Sequence, residues 1–429
     1  MLIGRSIIRP RNLPHGAPRR TFSREITAWT MLPVMVGAVE GGVMGTIASR
    51  LYQGVVSEEW LDLAVAFMVG AKAFANLASI VWAAASSGRR KIRFIVTLMM
   101  ATALCVLGVS FLPQTPIGLV GMAVLMTSAS VCWSGVVTLR TTVWAANYPR
   151  DVRATIAGRL AIVQALVLAS VGLLIGWAQD LNPDAFRWMY PLAVGVAMIG
   201  IATYASLPLR GHRRLLRTER TTGRRGFWAV LRASAQPLAR DRTFRLYMGC
   251  LFMLGFGNIM VSAPLVLALR TKFDTDYLVG IALVSSVPIL IMPLAIPLWS
   301  RLLDRVHVIR FRAVHSWVFV TSNGLLAVAI LTGTMWLLWI AAIVRGAAFG
   351  GGVLAWNLGH HDFAPIEGSG AYMGTHVTLT GIRGMLAPLV GVYGWHLIGG
   401  WIFTVPVVLA IAGGIGFAAL AARGPAKQH

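Results

Sequence analysis

Twelve apolar stretches, each long enough to cross a bilayer as a helix, recur along this chain of 429 residues. A crossing needs about 20 consecutive apolar residues. The stretches fall at about 26–48, 61–85, 92–112, 116–146, 155–178, 186–208, 245–269, 278–300, 311–333, 335–358, 372–396 and 400–422. Turn signals separate them, among them Pro113 to Pro116, Asn182-Pro183 and Gly399-Gly400. In lipid a lone segment can satisfy its backbone polar groups only by becoming a helix. The expected fold is therefore all-α and membrane-embedded. Composition agrees: charged residues are 12% of the chain, against about 25% in soluble domains. The three cysteines (Cys105, Cys132, Cys250) sit inside apolar runs without metal-type spacing and read as small buried hydrophobes.

A formal net charge of +23 would point to nucleic acid in a soluble protein. Its distribution gives another cause. With both termini on the cytoplasmic side, 30 of the 38 Lys and Arg fall in inside segments, four fall outside, and Lys72, Arg140, Arg345 and Arg383 lie within spans. That asymmetry is the positive-inside rule, so orientation explains the high charge and nucleic acid is not a partner. Residues 1–25 read as a basic cytoplasmic tail, 26–208 as a first six-helix bundle, 245–422 as a second, and 423–429 as a closing tail. Between the bundles, residues 209–244 alternate basic and apolar residues at helical spacing, as expected of a cytoplasmic linker with an interfacial amphipathic helix.

The bundles are related. At an offset of 217 residues Trp82 meets Trp299, Ile92-Arg93-Phe94 meets Ile309-Arg310-Phe311, and Gly135-Val136 meets Gly352-Val353. Equal helix counts on each side make this a parallel six-plus-six repeat. The loop after the eighth span carries Arg301-Leu302-Leu303-Asp304-Arg305, and its counterpart after the second carries Ser87-Gly88-Arg89-Arg90-Lys91. On these features the chain resembles the major facilitator superfamily over essentially its whole length. That family has a Gly/Asp/Arg/Arg-type signature in the loop between helices two and three, often repeated between eight and nine. Here Ser87 stands where the family would place Asp, and the fifth helix lacks the Gly-Pro pair of drug antiporters. Arg345-Gly346 leading to Gly350-Gly351-Gly352 is similar to the family's Arg-plus-glycine motif. The blocks WNLGHHDF and AYMGTHVTLTGIRG look similar to magnetosome-associated members linked to iron handling. The resemblance implies a secondary transporter, working as a monomer and without a cofactor. Its setting would be a bacterial inner membrane or one derived from it, and its partners a small solute or ion and the lipid bilayer.

Ionisable groups at membrane depth cost about 2.5–3.5 kcal/mol each on insertion scales, so each is a candidate for function. Glu40 lies among Gly37, Gly41, Gly42 and Gly45, and Lys72 lies mid-span with Asn76 one turn on. A desolvated lysine can release its proton, which arginine cannot. Glu40 and Lys72 are expected to pair, either as an alternating proton or substrate site or as a static ion pair. Asn258 occupies the position matching Glu40 in the second half. Arg345 and Arg383 are expected near the cavity, binding an anionic substrate, neutralising Glu40 or holding backbone carbonyls. Arg140, Asp304, Arg305, Asn357, His360, His361 and Asp362 form a candidate cytoplasmic gate, with Glu367 and His376 nearby. His360, His361, Asp362 and His376 are also candidate ligands for a transient divalent metal or proton acceptors.

No Gly-Lys dipeptide occurs, which removes a P-loop and with it ATP-driven transport by this chain. No HExxH or paired-carboxylate arrangement supports a membrane enzyme. A receptor or scaffold on the same fold would fill its cavity with side chains.

Overall fold

The computed structural model describes residues 17–221, 227–364 and 369–424. The first residues of the basic tail, linker residues 222–226, Glu367 and residues 425–429 lie outside them. Eleven helical stretches among the described residues are long and apolar enough to cross a membrane. The last, Ala371–Ala422, has 52 residues, more than twice what a bilayer core of about 30 Å needs at about 1.5 Å per residue. It is two helices, Ser369–Ile398 and Thr404–Ala422, joined by a 3-10 turn at Gly399–Phe403 where Gly399 takes φ 56°. Among the described residues the crossings number twelve. In order they are Arg19–Leu51, Glu58–Ser86, Lys91–Val109, Pro116–Asn147, Thr155–Leu181, Phe186–Ala205, Arg242–Thr271, Tyr277–Leu303, Val308–Thr332, Met335–Asp362 and the final two.

The first crossing begins earlier than its hydropathy implies. Residues 17–25 were expected in the tail, yet the helix is already formed at Ala17. Phe22, Ile26, Trp29 and Leu32 recur at helical spacing and are buried, carrying Glu25 with them to 0% exposure. The linker contributes two helices, His212–Thr221 and Phe227–Arg240.

Four crossings are irregular at mid-depth. The first breaks at Glu40, whose extended backbone (φ −62°, ψ 141°) ends one helix, while its side chain accepts the Gly42 N–H at 2.8 Å and caps the next. The second narrows to a 3-10 turn at Ala75–Leu77, directly after Lys72. The seventh breaks between Met260 and Ser262, and the eighth carries a π-helical turn at Ala282–Ser286. Such interruptions free backbone groups, which lipid cannot satisfy, so they belong beside a polar site.

The halves meet most tightly where crossings two and eleven touch. A Cβ added at Gly70 would stand 2.5 Å from the Gly384 carbonyl oxygen, so only glycine allows this approach.

Candidate functional site

A cavity of about 970 Å³ lies between the halves, lined by Glu40, Lys72 and Asn76 at mid-depth and by Arg140, Trp144 and Asn357 further toward the linker. It extends to Ser87 and to Glu219 on the first linker helix. Its deep end is roofed by a contact between the halves: Glu40 accepts a hydrogen bond from the Ser285 hydroxyl on the π turn of crossing eight.

Glu40 and Lys72 line one cavity and do not pair. The carboxylate is already engaged by the Gly42 N–H and by Ser285. Lys72 is exposed to the cavity and makes no ion pair or hydrogen bond among the described residues. Asn76, one turn on, lines the same wall.

The two second-half arginines are placed differently from the expectation that they would surround the cavity. Arg345 is 5% exposed and donates to the Asn258 carbonyl at 3.0 Å and the Ser262 hydroxyl at 2.9 Å, closing the break in crossing seven. Arg383 is 4% exposed and donates to the Leu251 carbonyl and the Thr380 hydroxyl, each at 2.7 Å. Of the three alternatives weighed for them, the geometry is that of carbonyl binding. Asn258 also turns inward, its side-chain oxygen accepting from the Asn323 amide at 3.1 Å.

Arg140 takes the cavity position instead. Its guanidinium lies 4.6 Å from the Trp29 ring centre and 4.7 Å from that of Trp144. Its Nε and Nη1 are buried without a hydrogen-bond partner. Below it sits Glu25, which accepts from the Trp144 indole and the Tyr148 hydroxyl at 2.5 Å each. Burial and the adjacent Glu25 carboxylate push the Tyr148 phenol far above its ordinary range, so it stays a donor. Glu25 escapes a reading by hydropathy because Arg24 and the basic run before it imitate a tail. The periodic Phe22, Ile26 and Trp29 are the signal that finds it.

The expected gate and metal residues disperse. Asn357 lines the cavity, with its amide donating to the Val353 carbonyl at 2.8 Å. Asp362 caps crossing nine, accepting the Val308 N–H at 2.7 Å. His360 is buried and its ring lies 4.0 Å from that of His361. His376 is buried beside Trp356, ring centres 5.5 Å apart. Asp304 and Arg305 are exposed in the turn after crossing eight and form no ion pair among the described residues. No group of three His, Cys, Asp or Glu among the described residues is arranged to hold a metal, because Asp362 is turned to a helix N-terminus and His376 packs one helix away.

The loop at Ser87 meets an acid from the linker. Glu219 accepts from the Gly88 N–H at 2.8 Å and forms an ion pair with buried Lys91 at 2.8 Å. Gly88 adopts φ 70°, the left-handed conformation that turns its N–H toward the linker.

The side away from the linker is sealed by contacts between the halves that sequence reasoning missed. Arg270 of crossing seven donates to the Ser49 carbonyl at 2.8 Å and pairs with Glu58 at 2.5 Å and Asp62 at 3.2 Å. Asp62 also meets His396 of crossing eleven at 3.1 Å. Asp180, ending crossing five, accepts the Tyr277 and Leu278 N–H groups at 2.7 and 3.0 Å, capping crossing eight.

With this geometry the chain superposes on solved transporters. Over 92% of this chain and 96% of the other, it matches a D-xylose-proton symporter with a TM-score of 0.72 at 12% identity. The nucleoside transporter NupG matches over 92% and 98% with 0.61 at 13%. The human organic anion transporter MFSD10 (TETRAN) matches over 94% and 100% with 0.60 at 14%. The chain has the major facilitator fold. No protein-family model and no curated protein sequence matches it, so at these identities the likeness is one of fold.

Proposed function

We propose that this protein is a secondary active transporter that moves a small solute by alternating access, held here with its cavity reaching the linker side. The observation that carries the reading is a cavity of about 970 Å³ that ends at Glu40, which is bonded to Ser285 beneath a far-side seal built across the halves. A receptor or scaffold needs no such space. The halves 26–208 and 245–422 rock about this midplane site, each chain working alone because one chain forms the whole cavity. By the charge asymmetry the linker side is cytoplasmic, in a bacterial inner membrane or one derived from it.

Lys72 and Arg140, the cations of the cavity wall, take the role first assigned to Arg345 and Arg383. They suit a solute with an acidic group, and Trp133 and Trp144 on the cavity wall suit a flat or apolar remainder. Iron as cargo has no convergent donor set in its favour among the described residues. Glu40 is the coupling group. Ionised, it accepts from Ser285 and holds the roof; protonated, it loses one acceptor site and the roof loosens. The D-xylose neighbour is named a proton symporter, which supports the same coupling here.

The test is uptake of a panel of organic acids, sugars, nucleosides and ferrous iron into proteoliposomes under an imposed pH gradient. An organic acid whose uptake follows the gradient in the wild type, and ignores it in Glu40→Gln, is the expected result. Uptake of none of the panel by protein that is correctly folded would sink the transport reading.

A further inference from the structure

At the far side one buried carboxylate serves three crossings. Asp62 of crossing two holds Arg270 of crossing seven with Oδ1 at 3.2 Å, and its Oδ2 stands 3.1 Å from Nε2 of His396 on crossing eleven. The Asp62 side chain is 3% exposed and that of Arg270 4%, whereas that of His396 is 38% exposed. Both contacts tie the first half to the second. A guanidinium keeps its proton at any physiological pH, so the Arg270 contact is permanent. His396 is different. An imidazole ordinarily changes charge between about pH 5 and 8, and this one reaches far-side solvent, from which it can take a proton.

At this end of crossing eleven, the charged groups on the elements packed against it are Glu58, Glu59 and Asp62 at the head of crossing two and Arg270 on crossing seven. Glu58 is taken by Arg270 at 2.5 Å, Glu59 is exposed, and Lys272, just beyond Arg270, donates to the Ile330 carbonyl. The turn Gly399–Phe403 that follows carries no titratable side chain. Lys72, on the same crossing as Asp62, lies about 15 Å deeper by helical rise. A charged His396 therefore has Asp62 as its partner, and it sits in the last turn of its helix, where the axial dipole attracts a cation. A charge-assisted contact is roughly twice as strong as a neutral one. The closed far side is thus the state that gains from the proton: acid favours closure, and rising pH withdraws that support.

We propose that His396, with Asp62, is a second proton-binding site, and that a proton taken there from far-side solvent tightens the seal between crossings two and eleven. Its sign is opposite to that of Glu40, where protonation loosens the roof. During alternating access, the proton bound at His396 commits the cavity to the linker side. That consequence rests on the transport reading; the proton-dependent seal does not.

The experiment uses the full-length protein in lipid nanodiscs, where both faces meet the same pH, with spin labels at Gly54 and Asp274 in exposed far-side loops of the two halves. Distance distributions are read at about pH 5.5 and about pH 8, on either side of the ordinary imidazole range. The ratio of short to long distances is expected to fall about two- to fivefold from acid to alkaline pH, the range a partly exposed ion pair supports. In His396→Gln the ratio should stay at its alkaline level at both pH values, and in His396→Arg, which keeps a permanent charge, at its acid level. In Glu40→Gln the fall should persist, which separates this site from the roof. A fall that survives in His396→Gln overturns the proposal. So does the absence of a fall in Glu40→Gln, where the opposing effect of the roof is removed. Neither outcome bears on whether the cavity carries a solute, which uptake measures.

Discussion

Lys72 is the residue on which the cavity reading can be tested most directly. It lines the cavity with no hydrogen-bond or ion-pair partner among the described residues, while Glu40 one helix away is satisfied twice over. A charge-assisted hydrogen bond contributes about 1.5–3 kcal/mol, so replacing Lys72 by Met should weaken binding of an acidic solute by about 10–100-fold. Half-saturation in uptake or in thermal stabilisation measures this. The fold should survive, because the ammonium supports no structural contact; an unchanged half-saturation would remove Lys72 from the site. Glu40, Lys72 and Asn76, expected at mid-span, and Arg140 and Asn357, expected at the cytoplasmic ends of their helices, all line the cavity. Sequence could not say that Arg345 and Arg383 turn away from it. Both arginines look as suitable as Arg140 in one dimension, and helix rotation alone decides which guanidinium meets the cavity and which meets a carbonyl.

At the scale of elements, the linker acts as part of the first bundle. The helix His212–Thr221 brings Glu219 to Gly88 and Lys91 in the loop between crossings two and three. Lys91 is 4% exposed at its side chain and Glu219 23%, so the pair is mostly shielded from solvent. Losing one partner of a fully buried pair costs about 3–5 kcal/mol; with Glu219 partly wet, Glu219→Gln should cost about 1–3 kcal/mol. A double-mutant cycle with Lys91→Met, read by thermal unfolding, should recover most of that loss as coupling. Additive effects would show that the contact contributes nothing. Hydropathy marked the linker as basic and amphipathic, but a single acid among so many arginines carries no local sign of where it docks.

For the whole molecule, the decisive contacts are those that hold the halves together away from the linker. Arg270 joins crossing seven to the carboxylates of Glu58 and Asp62 at the head of crossing two, and His396 shares Asp62. Arg270→Ala leaves Asp62, 2% exposed, without its guanidinium. The far side should then open, because water can reach the carboxylate only if the halves part. Spin labels at Gly54 and Asp274, both exposed in far-side loops, should report a longer distance population in the variant than in the wild type. Identical distance distributions would mean the network is decoration on an interface held by packing, such as that of Gly70 on Gly384.

What the sequence determined by itself is what lipid enforces locally: helices wherever about 20 apolar residues run together, their number, and the expected sidedness of the loops. The repeat offset added the two related halves. These properties depend on short windows of chain or on periodicity, and both are visible in one dimension. Only the tertiary structure decided that Glu40 meets Ser285 rather than Lys72, and that Glu219 docks on Gly88, 131 residues away. Each of these is a pairing between distant segments, set by helix rotation and by how closely the glycines let neighbours approach. No local pattern encodes that choice, because the same polar residue costs the same to bury whichever partner it finally meets.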